Sequence, residues 1–136
     1  MRVGISGTRQ GATKDQEITL RYFLGSTGIT RLTHGGCHGV DEQADAIYRE
    51  VQFSPVVSVY PAIGGHGTYP EPDIIHDEME PLKRNPLIVQ DSELMLIVPA
   101  QAVEIRRSGT WATYRYSIKY GVLTIIILPD GTTQIG

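Results

Sequence analysis

Apolar runs and helix-like repeats alternate along the whole chain. The runs are short and end at glycine, proline or a polar loop, whereas between them apolar residues recur every three or four positions, as on one face of a helix. The runs predict strands at Val3–Ser6, Ile29–Leu32, Val56–Tyr60, Leu94–Val98 and Val122–Leu128. The repeats predict helices at Lys14–Leu24, Val40–Gln52 and Trp111–Tyr120.

This alternation indicates a parallel sheet. The runs Leu94–Val98 and Val122–Leu128 are apolar on both faces, which is typical of strands covered by helices on two sides. We therefore predict a single Rossmann-like domain over residues 1–136. Its fold class is α/β, a three-layer α/β/α sandwich around a mostly parallel sheet of about five strands.

Two segments do not fit the simple alternation. Ala62–Asp73 is rich in glycine and proline, which excludes a helix or an interior strand. A loop of this length is usually functional or mobile, so it is a candidate lid, and a disordered surface excursion is the alternative. In Ile74–Gln90, Pro81 and Pro86 predict one or two short helices, with Lys83–Asn85 between them.

The composition is that of an ordinary globular domain. The chain has 40% hydrophobic and 20% charged residues, and no apolar run approaches the ~20 residues of a transmembrane helix. Met1–Ile5 reads as a strand and lacks the apolar core of a signal peptide. The single Cys37 excludes an internal disulfide and fits a reducing compartment. We therefore expect a cytoplasmic protein with no membrane partner, and the net charge of −3 disfavours nucleic acid.

Three polar or glycine-rich stretches follow predicted strands: Gly7–Ala12, His34–Asp41 and Ser108–Thr110. In an open parallel sheet, ligands bind beyond the carboxyl ends of the strands. Glycine allows a ligand to approach the backbone, and the two later stretches open helices, whose N-termini favour phosphate. For any one stretch alone, a tight turn or an N-cap is the favoured interpretation, but three on one edge favour a phosphate site.

Several side chains near these turns have two interpretations. Arg9 and Arg84 could hold a phosphate with the guanidinium fork, or could be solvated surface arginines. Asn85 could contact a base edge or hold a loop by hydrogen bonds. Asp41 could accept from a ribose hydroxyl, or could be favoured in the first helical turn by the helix dipole alone.

The sequence argues against a metal site and against other common nucleotide motifs. The four histidines and Cys37 match no zinc spacing, so we expect no metal and no cofactor. Cys37 lies near a helix N-terminus, which lowers a thiol pKa, but no base can be assigned to it. The third glycine of a dinucleotide fingerprint is missing, and no Walker motif occurs.

Four motifs in order resemble the SLOG superfamily, and its YspA-like members most closely. They are Gly4-x-Ser6-Gly7-x-Arg9, His34-Gly35-Gly36-Cys37-His38-Gly39-Val40-Asp41, Lys83-Arg84-Asn85 and Ser108-Gly109-Thr110. The resemblance covers Met1 to Gly131 and implies a nucleotide-like ligand bound over the sheet edge. The implied ligand-binding residues are Gly7, Thr8, Arg9, Gly35, Gly36, His38, Gly39, Asp41, Arg84, Asn85, Ser108, Gly109 and Thr110.

The related families imply two alternative functions. The "lonely guy" phosphoribohydrolases carry Pro-Gly-Gly-x-Gly-Thr-x-x-Glu, but Thr113 stands here where that glutamate falls, and nothing places Glu78 or Glu80 near the site. The Smf/DprA proteins bind single-stranded DNA, which the acidic balance of this chain disfavours. The leading hypothesis is therefore a binding module, for signalling or sequestration, without an assigned catalytic residue.

The last predicted helix carries many large apolar residues, namely Trp111, Tyr114, Tyr116, Ile118 and Tyr120. This is more apolar surface than one helical face can hide in a small sandwich, and members of the resembled families commonly pair. We therefore predict a homo-oligomer, in the first instance a dimer. The alternative is that these residues complete the core.

Overall fold

The computed structural model describes residues 1–136 as one sheet with helices on both faces. The strands are β1 Arg2–Gly7, β2 Arg31–His34, β3 Val57–Val59, β4 Ile74–Ile75, β5 Leu94–Val98, β6 Leu123–Ile127 and β7 Thr133–Ile135. The helices are α1 Lys14–Leu24, α2 Val40–Val51, α3 Pro81–Gln90 and α4 Gly109–Lys119.

The sheet order is β4-β3-β2-β1-β5-β6-β7. All neighbouring strands are parallel except β6 and β7, so the predicted α/β class and mostly parallel sheet are confirmed. The sheet has seven strands rather than about five. The two additional strands, β4 and β7, are too short to show a period of two in the sequence.

Each face of the sheet has its own hydrophobic core. Along β5, Leu94, Leu96 and Val98 pack with α1 and α2, whereas Met95 and Ile97 pack with α3 and α4. This alternation follows from the two-residue repeat of a strand. Because both faces are covered, β5 is buried at all five positions, as its continuous apolar sequence predicts.

Helix α1 begins with a capping box formed by Thr13 and Gln16. Thr13 Oγ1 accepts from Gln16 N at 3.1 Å, and Gln16 Oε1 accepts from Thr13 N at 2.9 Å. The same Gln16 side chain, 1% exposed, donates through Nε2 to the carbonyls of Pro99 and Ile127. Helix α1 is thereby fixed to the carboxyl ends of β5 and β6.

Helix α3 differs from the prediction. It is a single helix that continues through Pro86, so the expected break at Lys83–Asn85 was wrong. Pro81 occupies the first turn, where its missing N–H costs nothing. The donor lost at Pro86 is outweighed by tertiary packing, because Arg84 and Asn85 both lie on the buried face of the helix.

Strand β2 also ends later than predicted, at His34 instead of Leu32. His34 is therefore a buried strand residue rather than the first residue of the turn. Its Nδ1 accepts from Gly36 N at 2.9 Å, so the ring proton is on Nε2, which contacts Asp45 Oδ2 at 2.8 Å. Asp45 in turn accepts from Arg49 Nε at 2.7 Å. This buried network fixes the turn after β2 to the middle of α2.

The Ala62–Asp73 loop is attached to α2 and to the turn before it. Gly67 N donates to Gly36 O at 2.8 Å, and Thr68 N donates to Glu42 Oε2 at 2.7 Å. The interpretation as a disordered excursion was therefore wrong for its second half.

None of the helices α1–α4 has the length and the apolar sequence that a membrane span requires.

Candidate functional site

A crevice of about 360 Å³ opens at the carboxyl ends of β1 and β5. In the sheet, β1 has β2 as its neighbour on one side and β5 on the other, so the strand order reverses between β1 and β5. The crevice therefore lies at the topological switch point, where open α/β sheets bind ligands. Ten of the predicted site residues line it. They are Gly7, Thr8, Arg9, Gly35, Asp41, Arg84, Asn85, Ser108, Gly109 and Thr110.

The other three predicted residues lie elsewhere. His38 lines a second, adjoining cavity. Gly36 and Gly39 have positive φ and pack against the chain itself: a Cβ on Gly36 would lie 2.6 Å from Tyr69 Oη, and one on Gly39 would lie 2.5 Å from Thr8 O. The structure therefore gives these two glycines a role in the packing between segments.

The turn before α2 has few free donors. The N–H groups of Gly35 and Cys37 both donate to Asp41 Oδ2 at 3.1 Å. Gly39 N donates to Glu42 Oε1 at 2.9 Å, and Val40 N to Thr8 O at 3.1 Å. These amides already have acceptors within the chain, although the sequence indicated this turn as one of three stretches that could bind a phosphate.

The start of α4 is different. Ser108 Oγ accepts from Trp111 N at 3.3 Å and so acts as an N-cap. The N–H groups of Gly109 and Thr110 donate to no acceptor in the chain. Nothing lies within 4 Å of a Cβ placed on Gly109. This helix terminus therefore presents two free donors and open space at the crevice, together with the positive end of the helix dipole.

Arg84 forms the buried wall of the crevice and is only 4% exposed. Its Nη1 donates to Gly35 O at 2.7 Å and to Tyr60 O at 2.9 Å. Its Nε donates to Asn85 Oδ1 at 2.9 Å, and its Nη2 contacts only Cys37 Sγ at 3.5 Å. No salt bridge of the chain includes Arg84. A buried cation thus lacks an ion-pair partner and retains unused N–H capacity on Nη2.

Asp41 is the one carboxylate among the residues lining the crevice. It is 5% exposed, its Oδ2 holds the turn, and its Oδ1 is buried without a hydrogen-bond partner. The lining also contains three arginines, Arg9, Arg84 and Arg107. The crevice is therefore positively charged although the chain as a whole carries −3.

Arg107 was not among the predicted site residues. It belongs to the irregular connector between β5 and α4, of which Ala100, Gln101 and Ile105 also line the crevice. A connector without periodicity gives no sequence signal for which side chains face a ligand. The position of Arg107 directly before the Ser108 cap was the one available clue.

Cys37 lies at the edge of the crevice and is partly buried. Burial raises the pKa of its thiol, and the Asp41 carboxylate adds to this effect, outweighing the opposite influence of Arg84 and Arg9. The thiol is therefore protonated at neutral pH, which does not suit a nucleophile. No group of three or more His, Cys, Asp or Glu side chains is placed to hold a metal ion.

The residues considered for glycoside hydrolysis are outside the crevice. Thr113 is 1% exposed and its Oγ1 donates back to Gly109 O at 3.1 Å. Glu78 and Glu80 are exposed and line neither cavity. The crevice therefore has no carboxylate other than Asp41 to act as an acid or base.

The aromatic residues of α4 divide between core and surface. Trp111 is 3% exposed, and Tyr114 and Tyr116 pack against the same core. Ile118 and Tyr120 remain 44% and 42% exposed. The helix therefore completes the core with its first half and leaves apolar surface at its C-terminal end.

Three solved structures are similar to this chain over most of its length. The molybdenum cofactor binding protein from Rippkaea orientalis has 18% identity and a TM-score of 0.70, and the match covers 92% of this chain and 74% of that protein. The fold of this chain is Rossmann-like. The molybdenum cofactor carrier protein from Chlamydomonas reinhardtii has 17% identity and a TM-score of 0.64, and the match covers 92% of this chain and 74% of the carrier protein. TM1055, a structural genomics target, has 16% identity and a TM-score of 0.69, with 96% and 75% covered.

At these identities the likeness shows the fold alone. In sequence, no family model matches the chain, and no curated protein matches it.

Proposed function

We propose that this chain binds a nucleotide or nucleotide-derived small molecule in the crevice, and that it acts as a binding module rather than as a catalyst. The observation that carries the proposal is Arg84. A buried charge is costly unless it is paired, and this one has hydrogen bonds to carbonyls but no carboxylate partner. An anionic group in the crevice would supply the missing counter-charge.

The start of α4 supplies the remaining contacts for that anion. The free N–H groups of Gly109 and Thr110 are suited to phosphate oxygens. Arg107 and Arg9 add exposed guanidinium groups at the rim, where they can bind bidentately. We therefore place the phosphate between Arg84 and the N-terminus of α4, and not at the start of α2.

The rest of the ligand is assigned by size and neighbouring polar groups. A cavity of about 360 Å³ is at the scale of small-molecule sites, roughly 300–1,000 Å³. Asn85 retains an unused amide NH2, and Asp41 retains a free Oδ1, which together suit a polar ring or sugar. Membership of the SLOG superfamily and pairing through the exposed end of α4 are further parts of this proposal.

Arg107→Ala is the clearest test of the binding site. Arg107 is exposed and lines the crevice, so its removal leaves the fold intact and should weaken nucleotide binding about tenfold through loss of a charge-assisted contact. Calorimetry at low salt, with adenine and guanine nucleotides and molybdenum cofactor as the panel, measures the change. The cofactor is included because two of the similar structures are named for it.

Arg106→Ala is the matched control. It removes the same charge from the same connector, but Arg106 does not line the crevice. Equal losses of affinity for the two variants would show only a general electrostatic effect, and no loss for Arg107→Ala would place the phosphate elsewhere.

Gly109→Val tests the start of α4 in the same assay. The valine methyl groups would occupy the open space next to the free N–H groups of Gly109 and Thr110 and should reduce affinity by more than about tenfold.

We also expect no release of base from nucleoside monophosphates. Thr113 is turned back onto Gly109 O, and Glu78 and Glu80 lie outside the crevice. The one carboxylate left to protonate the leaving base or activate water is Asp41, which is buried and held in place by the amides of Gly35 and Cys37. Incubation of pure protein with nucleoside monophosphates, followed by chromatography for free base, checks this. Steady turnover that survives Glu78→Gln and Glu80→Gln but is lost in Asp41→Asn would contradict the binding-module proposal and make Asp41 the catalytic group.

A further inference from the structure

A second cavity of about 320 Å³ adjoins the crevice. We call it the side chamber. It shares Arg9, Cys37 and Pro81 with the crevice, so these residues form the boundary between the two spaces. The rest of its lining consists of His38 and of residues 62–65 of the long loop.

The side chamber has a different chemistry from the crevice. Ala62, Ile63 and Pro81 are apolar, and the only charged side chain is Arg9, at the boundary. Gly64 and Gly65 have positive φ and nothing within 4 Å of a Cβ, so they leave the backbone bare. The exposed surface of these walls is more polar than apolar, so the side chamber suits an uncharged sugar, with His38 and backbone groups as hydrogen-bond partners.

From these two spaces we propose that the ligand has two parts joined by a diphosphate. The first nucleoside lies in the crevice, the diphosphate extends from the position between Arg84 and the start of α4 to Arg9 at the boundary, and a second sugar lies in the side chamber. This inference rests on the proposed function and narrows its ligand class, from a nucleotide to a nucleotide that carries a further ring on its phosphate.

Arg9 is the residue that makes the boundary suitable for a diphosphate. Its side chain is exposed, it takes part in no salt bridge, and its own backbone N–H donates to no acceptor in the chain. A guanidinium and an N–H from one residue can therefore meet the same phosphate group.

Calorimetry with graded ligands tests the proposal. The adenine series is AMP, ADP and ADP-ribose, and the guanine series is GMP, GDP and GDP-mannose. In at least one series, the conjugate should bind at least about tenfold more tightly than the diphosphate, since enclosing one more ring gives a factor of this order. The diphosphate controls for the effect of the added charge.

Ile63→Trp should remove this advantage. Ile63 is 57% exposed and lines only the side chamber, so the larger ring fills the chamber without entering the core. The ratio of conjugate to diphosphate affinity should then fall to near one. Ile18→Trp, at a 67% exposed position on α1 that lines neither cavity, is the matched control and should keep the ratio of the parent protein.

Two outcomes would overturn the inference. One is a conjugate that binds no more tightly than its diphosphate in both series, and the other is an advantage that persists in Ile63→Trp. If the monophosphates bind but the conjugates gain nothing, only the two-part ligand is wrong. If no compound of either series binds, the proposed nucleotide function fails with it.

Discussion

Arg84→Ala should abolish measurable nucleotide binding and also destabilise the fold. The variant leaves Gly35 O and Tyr60 O without their donor and opens a space on the buried face of α3. Each unsatisfied buried group is costly, and we expect a loss of about 2–3 kcal/mol in the free energy of unfolding. The sequence alone places Arg84 in a loop, where its replacement would leave the stability of the fold unchanged. A measured loss of unfolding free energy would therefore support the buried position of Arg84 in the structure over the loop position that the sequence predicts.

Arg84→Lys should recover part of the binding but little of the stability. Lysine keeps the positive charge, yet it cannot reach two carbonyls and Asn85 Oδ1 together, because it lacks the planar fork. Urea denaturation and calorimetry on the same samples measure both effects. A fully stable Arg84→Ala protein with weakened binding would contradict the structural role, and a destabilised one with unchanged affinity would contradict the proposed anion site.

Gly39→Ala should be the most damaging small substitution in the chain. Gly39 has φ +81°, and an added Cβ would lie within 2.6 Å of the backbone of both Thr8 and Arg9. The added methyl group would push the turn after β1 away from the start of α2, and alanine would also be strained at this positive φ. We expect a loss of more than about 3 kcal/mol in unfolding free energy, beyond the usual range for point substitutions.

Gly28→Ala is the control for conformational strain alone. Gly28 has φ +92°, but nothing lies within 4 Å of its Cβ position. Its cost should be about 1 kcal/mol, since strain is partly offset by the lower entropy of the unfolded alanine chain. Thermal and urea unfolding of both variants give the comparison. Equal losses of unfolding free energy in Gly39→Ala and Gly28→Ala would mean that the close contact of Gly39 with Thr8 and Arg9 adds nothing to the cost of the first substitution.

The sequence predicts the fold well because its signals are local. The bounds of Leu94–Val98 and Lys14–Leu24 are those that their patterns indicate, and the capping box at the start of α1 joins Thr13 and Gln16, which are only three positions apart. These features depend on residues that are close in sequence. The failure at α3 is of the opposite kind, because local proline rules could not weigh the packing that carries the helix through Pro86.

The same distinction applies to the candidate site. Motif order located ten residues that line the crevice, but it did not show which glycines face a ligand. Gly39 is required by Thr8 and Gly36 by Tyr69, and these neighbours come from distant segments. Arg107 and Ile105 were missed because an irregular connector has no period. Which amides are free depends on three-dimensional contacts that no spacing reveals.

The bonded turn before α2 has a consequence for the thermodynamics of association. Its amides are already satisfied by Asp41, Glu42 and His34, so a ligand meets a wall whose conformational entropy was lost during folding. The connector between β5 and α4 has far fewer such bonds, which leaves ordering of that segment as the main entropic cost of complex formation. In the proposed complex, the side of the crevice formed by the turn before α2 is therefore preorganised.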